Sequence, residues 1–134
     1  MIRILINVLD DEQIWRDLLA AQLEDYTVVA YSTSSEFFKS FSKDVDLVIL
    51  DVRLNDGTDI IKRIQNIYDI SPNCYLIVVS AYFDVPLLQD LLRMRVNDTV
   101  VKGANWLEEL KIAVKSLEPK LLDRAKMKGV MNAR

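Results

Sequence analysis

The sequence predicts a doubly wound α/β domain with a five-stranded parallel sheet and helices on both faces. Five short runs of β-branched and aliphatic residues recur along the 134 residues, and each is followed by a stretch with helical spacing of apolar residues. The third and fourth runs have almost no polar alternation, which is typical of strands buried on both faces. The length and the hydrophobic content of 51% suit one domain with a single core.

The first half of the chain predicts three strands and two helices. The helix after the first strand has an apolar face that includes Trp15, Leu18 and Leu19. Ser34 and Ser35 offer caps for a short second helix with three phenylalanines. The predicted bounds are strands over Ile2–Leu9, Tyr26–Tyr31 and Asp46–Asp51, a first helix over Glu12–Glu24, and a second helix that carries Phe37, Phe38 and Phe41.

The second half continues the alternation after a turn at Asn55-Asp56-Gly57. A third helix directs isoleucines inward and ends at Ser71-Pro72-Asn73. Pro86 lies in the first turn of the fourth helix, where a missing N–H costs little. The remaining predicted bounds are strands over Cys74–Val79 and Asp98–Lys102 and helices over Asp84–Arg95 and Asn105–Leu117.

Residues 118–134 differ in composition from the rest. Pro119 is predicted to interrupt the last helix, and basic residues then mix with Leu121, Leu122 and Met127. We therefore divide the chain into a domain over residues 1–117 and a C-terminal tail over 118–134. The tail is interpreted as a short extra helix, a linker to an output domain or a disordered segment.

Composition excludes several classes of function. The formal net charge of −3 argues against nucleic-acid binding by this segment. The absence of histidine removes most His-based metal sites and His-dependent nucleophilic catalysis. Cys74, the one cysteine, lies in an apolar run and predicts a buried thiol in a reducing compartment. No apolar stretch reaches the roughly 18 residues of a membrane helix, and no signal peptide precedes Ile2, so we expect a cytoplasmic location.

Polar residues suited to phosphate chemistry follow four of the predicted strands. Asp10 and Asp11 end the first, Asp51 the third, Ser80 the fourth and Lys102 the fifth. Because the carboxyl ends of parallel strands meet at one crevice, these side chains are expected to converge. Carboxylates bind a hard cation such as Mg²⁺, and a hydroxyl and an ammonium can bind phosphoryl oxygens.

Each residue taken alone has a simpler interpretation. Asp10 or Asp11 could cap the first helix, and Ser80 could cap the fourth. Asp51 could be a turn aspartate, and Lys102 a solvated surface lysine. The set of four strand ends, each with a residue type that one reaction needs, favours the phosphate site.

The motifs around these residues resemble the receiver domain of two-component response regulators. The matching segments are DDE at 10–12, DLVILDVRL around Asp51, VVSA around Ser80 and VVK around Lys102, and the resemblance covers roughly residues 1–117. It implies the flavodoxin-like strand order 2-1-3-4-5. It further implies that Asp51 accepts a phosphoryl group from a histidine kinase or histidine phosphotransfer protein, that Lys102 holds that group, and that Ser80 moves to bond it.

The resemblance also implies a magnesium site. Asp11 and Asp51 would bind Mg²⁺ directly, Asp10 through water, and the backbone carbonyl of Arg53 would be a further ligand. The fourth helix, fifth strand and fifth helix would form the switching surface and a face for a homodimer. The domain would be regulatory, and its only catalysis would be its own phosphotransfer and autodephosphorylation.

The sequence departs from the family pattern at several positions near the site. Thr99 stands where the family usually has an aromatic residue, and Gly103 stands where proline usually follows the lysine. Asn55 and Asp59 stand where the loop after the phosphoacceptor commonly has proline and glycine. Thr99 argues against the usual aromatic switch, which leaves signalling to Ser80 and to backbone shifts.

Two exposed positions could control the lifetime of the acyl phosphate. Arg53 and Tyr82 flank the predicted site, where their side chains could screen attacking water. The alternative is that both are ordinary solvent-exposed side chains.

Two other classes of protein remain alternatives. A phosphatase of the haloacid dehalogenase type also uses an aspartyl nucleophile, but its general acid would be an aspartate at position 53, which is arginine here. A receiver-like interaction domain that is never phosphorylated is compatible with Thr99 and Gly103. A flavin-binding module is disfavoured, because no Gly/Ser/Thr-rich phosphate loop follows the first strand.

Overall fold

A computed structural model describes residues 3–132 as one five-stranded parallel sheet with helices on both faces. The strand order is β2-β1-β3-β4-β5, as predicted. The strands are β1 (Leu5–Leu9), β2 (Thr27–Tyr31), β3 (Leu47–Asp51), β4 (Tyr75–Ser80) and β5 (Asp98–Val101). The helices are α1 (Gln13–Gln22), α2 (Ser34–Ser40), α3 (Ile60–Ile70), α4 (Val85–Arg93) and α5 (Trp106–Asn132).

Two apolar layers cover the two faces of the sheet. The central strand β3 is buried at every position, and β4 is buried from Leu76 to Ser80, because helices lie on both of their faces. One layer joins alternate strand residues such as Ile6 and Ile49 to Trp106 and Leu110 of α5. The other joins Val48 and Leu50 to residues of α2 and α3.

The parallel register brings the strand ends to one edge. Leu9 pairs with Leu50, and Asp51 pairs with Val79. Ser80 pairs with Val101. Asp10, Asp51, Ser80 and Lys102 therefore lie in a row at the carboxyl edge, across three adjacent pairs of strands.

The bounds of several elements differ from the predicted ones. Ile2, the predicted start of the first strand, lies outside the described residues. Ser34 and Ser35 do not cap α2. The hydroxyl of Thr33 accepts a hydrogen bond from Glu36 N–H and is the cap. Ser34 is instead buried, and its hydroxyl lies 3.0 Å from that of Thr58.

The prediction that Pro119 interrupts the last helix is wrong. Helix α5 runs for 27 residues with Pro119 inside it. Proline removes a helical hydrogen bond, so tertiary contacts must stabilise the segment beyond it. Leu121 and Ala125 supply apolar contacts, since their side chains are 0% and 3% exposed. Neither α5 nor any other helix in residues 3–132 is long and apolar enough to cross a membrane.

An ion-pair cluster joins the C-terminal part of α5 to the amino edge of the sheet. Asp46, just before β3, is fully buried. Its carboxylate accepts hydrogen bonds from Arg124 at 2.7 Å, from Lys128 at 3.0 and 3.1 Å and from Leu5 N–H at 2.8 Å. Arg124 also donates to Ser71 Oγ. Residues 118–129 therefore pack against the same domain, at the edge opposite the strand-end residues; the further idea of a linker to an output domain stays a prediction.

Candidate functional site

The ammonium of Lys102 lies at the centre of the strand-end residues. Its Nζ donates to Asp51 Oδ2 at 2.8 Å and to Asp10 Oδ2 at 3.0 Å. The Lys102 side chain is only 12% exposed, so it is not an ordinary surface lysine. The structure thus brings the ends of β1, β3 and β5 into one ion-pair network.

Three carboxylates meet beside this ammonium. Asp10, Asp11 and Asp51 each offer an oxygen atom, and these atoms all lie within 4.8 Å of one another. Asp10 and Asp51 are buried and Asp11 is half-buried. Buried carboxylates of like charge need a cation nearby, and a cluster of hard oxygen ligands fits Mg²⁺.

Backbone amides set the orientation of these carboxylates. Asp10 Oδ1 accepts from Glu12 N–H at 2.9 Å, and Asp51 Oδ1 accepts from Arg53 N–H at 3.2 Å. Asp11 Oδ2 accepts from Asn55 N–H at 3.0 Å, which ties the loop after β1 to the loop after β3. Glu12 is the N-cap of α1, without a side-chain capping bond, so neither aspartate fills the capping role that was the alternative.

Burial and charge oppose each other at Asp51. Burial raises the pKa of the Asp51 carboxyl above its ordinary value, and the nearby Asp10 adds to the rise, while Lys102 pulls it down. Burial alone would lower the pKa of Lys102, but its hydrogen bonds to Asp51 and Asp10 leave that pKa raised. The pKa of the Asp51 carboxyl thus lies above that of an exposed aspartate, and the raised pKa of Lys102 keeps its ammonium charged.

Ser80 lies at the end of β4 but its hydroxyl is turned to its own loop. The Oγ donates to Tyr82 C=O at 2.8 Å and accepts from Tyr82 N–H at 3.2 Å. Asp84 caps α4 through Leu87 N–H, so Ser80 is not the cap of that helix. Ser80 would have to exchange its bonds with Tyr82 to reach a phosphoryl group.

Arg63 of α3, which is not among the predicted site residues, supports the loop after β3. Its guanidinium donates to Asp51 C=O at 2.7 Å and to Val52 C=O, and the residue is 2% exposed. Arg63 thereby fixes the backbone that carries the Asp51 carboxylate. A signal was present: position 63 falls on the buried stripe of Ile60, Ile64 and Ile67, at helical spacing.

The strand order and the acidic edge together define a CheY-like receiver fold. Residues 6–115 match the family model described as response regulator receiver domain, and the chain belongs to this family. The resemblance and the fold class predicted from the sequence are thereby confirmed. No curated protein matches the chain by sequence.

Solved receiver domains share this fold. A response regulator receiver protein from Pseudomonas putida is 25% identical, covers 85% of this chain and 97% of its own, and has a TM-score of 0.71. A two-component response regulator from Clostridium difficile is 22% identical, covers 89% of this chain and 98% of its own, and has a TM-score of 0.76. RcsB from Salmonella enterica serovar Typhimurium is 23% identical, covers 85% of this chain and 67% of its own, and has a TM-score of 0.74. That structure is of RcsB bound to a promoter in the presence of the phosphomimetic BeF₃⁻.

Proposed function

We propose that this chain is a phosphorylatable receiver that takes a phosphoryl group on Asp51 from a histidine kinase or a histidine phosphotransfer protein. The observation that carries the proposal is the Lys102 ammonium bonded to both Asp51 and Asp10, with Asp11 beside them. A structural ion pair would need one carboxylate, whereas three carboxylates and a lysine suit a cation and a phosphoryl group.

In the proposed reaction, an oxygen of the Asp51 carboxylate attacks the phosphorus of a phosphohistidine. The new O–P bond forms as the N–P bond breaks, and the imidazole leaves with the electron pair and takes a proton from solvent. Asp10, Asp11, Asp51 and the carbonyl of Arg53 would hold Mg²⁺, which when bound supplies charge neutralisation for the phosphoryl oxygens. Lys102 would bond one of those oxygens once the Asp51 oxygen is bonded to phosphorus.

The acyl phosphate then changes the electrostatics of the edge. It adds roughly one unit of negative charge beyond the carboxylate that it replaces. That charge would draw the Ser80 hydroxyl away from Tyr82 and so move the loop between β4 and α4. Thr99, half-buried on β5, offers no aromatic ring for the switch.

The switching surface would be the face formed by α4, β5 and α5. Exposed apolar side chains lie there, with Leu92 at 76%, Val101 at 51% and Ile112 at 68% exposure. Such side chains suit a partner or a homodimer. A cytoplasmic location, no membrane partner and no nucleic-acid partner for this segment complete the proposal, in keeping with the net charge of −3.

The first prediction concerns phosphotransfer from a small donor. Incubation with acetyl phosphate and Mg²⁺ should add one phosphoryl group to the intact mass, and chelation of the metal should prevent the gain. Asp51→Asn, which keeps the shape but removes the nucleophile, should take up none. If the wild-type mass stays unchanged in the presence of Mg²⁺, the chain is the unphosphorylated interaction domain instead.

The second prediction concerns the lifetime of the acyl phosphate. Arg53 is exposed, and Tyr82 is 68% exposed on the loop whose backbone bonds Ser80. If their side chains screen water, Arg53→Ala and Tyr82→Ala should each lose the phosphoryl group about two- to tenfold faster, as a loss of about 0.4–1.4 kcal/mol in barrier implies. The readout is the decay of the phosphorylated mass after donor removal. Decay at the wild-type rate in both variants would show that the two side chains are merely exposed.

A further inference from the structure

Two tryptophans lie near the ammonium of Lys102. The Nζ is 5.8 Å from the ring centroid of Trp15 on α1 and 5.4 Å from that of Trp106 on α5. The centroids of the two rings are 5.0 Å apart and the ring planes are at 76° to each other, which is an edge-to-face arrangement. Both distances lie within the range of about 6 Å over which a cation is attracted to an indole face.

We propose that Trp15 and Trp106 are positioning residues that hold the ammonium of Lys102 at the phosphate site through their indole rings. The inference rests on the proposed function, because it concerns the residue that would bind the phosphoryl group. The two rings are called the indole clamp below.

A clamp would matter because binding of a metal ion and a phosphoryl group would change the carboxylate contacts of Lys102. Its two partners, Asp10 and Asp51, belong to the same cluster that would bind Mg²⁺. A dication bound at the cluster would repel the ammonium and compete for the same oxygens, and phosphorylation would then convert the Asp51 carboxylate to an acyl phosphate. The indole rings are uncharged and lie outside the cluster, so their attraction persists through both events.

Without the clamp, the ammonium of Lys102 could move into a neighbouring groove. Its ammonium is a compact charge on a flexible four-carbon stem. A groove of about 370 Å³ between α1 and the start of α5 is lined by Trp15, Trp106, Lys102 and Gly103. Removing the Trp15 ring would widen this groove, and water there would hydrate the ammonium away from the phosphoryl position.

Trp15 is the better residue to change. It is half-buried, whereas Trp106 is 4% exposed and belongs to the core, so replacing Trp106 would also reduce the stability of the fold. Trp15→Leu removes the aromatic face, and Trp15→Phe keeps one. Leu122→Ala, a change to a half-buried residue packed on the same core cluster, is the control for lost packing alone.

The first test is a spectroscopic one. In protein labelled with ¹³C at lysine Cε, ring currents should shift the Lys102 signal away from those of exposed lysines, and Lys102→Met identifies that signal. Saturation with Mg²⁺ should leave the signal shifted in the wild type, in Trp15→Phe and in Leu122→Ala, but should return it to the exposed position in Trp15→Leu. If the wild-type signal itself moves to the exposed position with Mg²⁺, the clamp is disproved.

The second test separates the clamp from the proposed function. With acetyl phosphate and Mg²⁺, Trp15→Leu should be phosphorylated about tenfold more slowly than the wild type, and Trp15→Phe should recover most of the rate. Equal rates in all three would overturn the clamp. If the wild type takes up no phosphoryl group, the proposed function fails, and the spectroscopic comparison, which needs Mg²⁺ but no phosphorylation, still decides the clamp.

Discussion

Replacing both Arg124 and Lys128 by methionine should destabilise the domain by about 3–5 kcal/mol, because it leaves a fully buried carboxylate without a cation. Asp46 is 0% exposed, and these two side chains supply its two ion pairs. Methionine retains helix propensity and most of the apolar stem. The measurement is the free energy of unfolding from urea titration.

A charge-matched control separates the ion pairs from net charge. Lys120→Met and Lys126→Met change two exposed lysines on the same helix and should cost less than about 1 kcal/mol. Adding Asp46→Asn to the Arg124 and Lys128 variant should recover part of the loss, because a neutral amide replaces the unpaired charge. A loss that is equal in the two double variants would show that Asp46 does not anchor α5.

Replacing Lys102 by methionine should affect metal binding and phosphotransfer in opposite directions. The ammonium occupies Asp10 Oδ2 and Asp51 Oδ2 and repels a cation at the cluster. Its removal should tighten Mg²⁺ binding about tenfold or more, since the carboxylates then lack a competing charge. Phosphorylation by acetyl phosphate should nevertheless slow on the order of 100-fold, because a preorganised cation at the phosphoryl oxygens is lost.

The two measurements must be made on the same variants. Mg²⁺ affinity can be measured by calorimetry. The phosphorylation rate can be measured from the intact mass over time at saturating Mg²⁺. Lys62→Met, a lysine on α3 outside the network, is the control and should change neither. Weaker Mg²⁺ binding together with slower phosphorylation would mean that Lys102 supports the shape of the site and does not compete with the metal.

The sequence was sufficient for the fold and for the positions of the site residues. The alternation of strands and helices follows from local patterns, and the parallel sheet then brings the ends of its strands to one edge. This is why Asp10, Asp11, Asp51 and Lys102 could be expected to converge, and they do. Ser80 lies at its expected strand end, although its hydroxyl bonds Tyr82.

The features that were missed depend on contacts between distant residues. Three neighbouring hydroxyl residues could each cap α2, and the contact of Ser34 with Thr58 leaves that role to Thr33. Pro119 predicts a helix end by local rules, but Arg124 reaches Asp46 across 78 positions of sequence and stabilises the continuation. Local pattern does not contain such pairings.

The positions of Trp15 and Trp106 were predicted from the sequence only in part. Their spacing on α1 and α5 predicts an inward direction, which the structure confirms for Trp106 and partly for Trp15. The sequence does not show that both rings contact one ammonium, because that requires the packing of α1 beside α5 at the end of β5.

The measurement that tests the central proposal most directly is the location of the phosphoryl group. After reaction with acetyl phosphate and Mg²⁺, borohydride reduces an aspartyl phosphate to homoserine, which peptide mass spectrometry places in the chain. We predict homoserine at position 51 alone, and none in Lys102→Met after the same short reaction. Homoserine at position 10, 11 or 56 instead, or at no position in wild-type protein that binds Mg²⁺, would contradict the assignment of Asp51 as the phosphoacceptor.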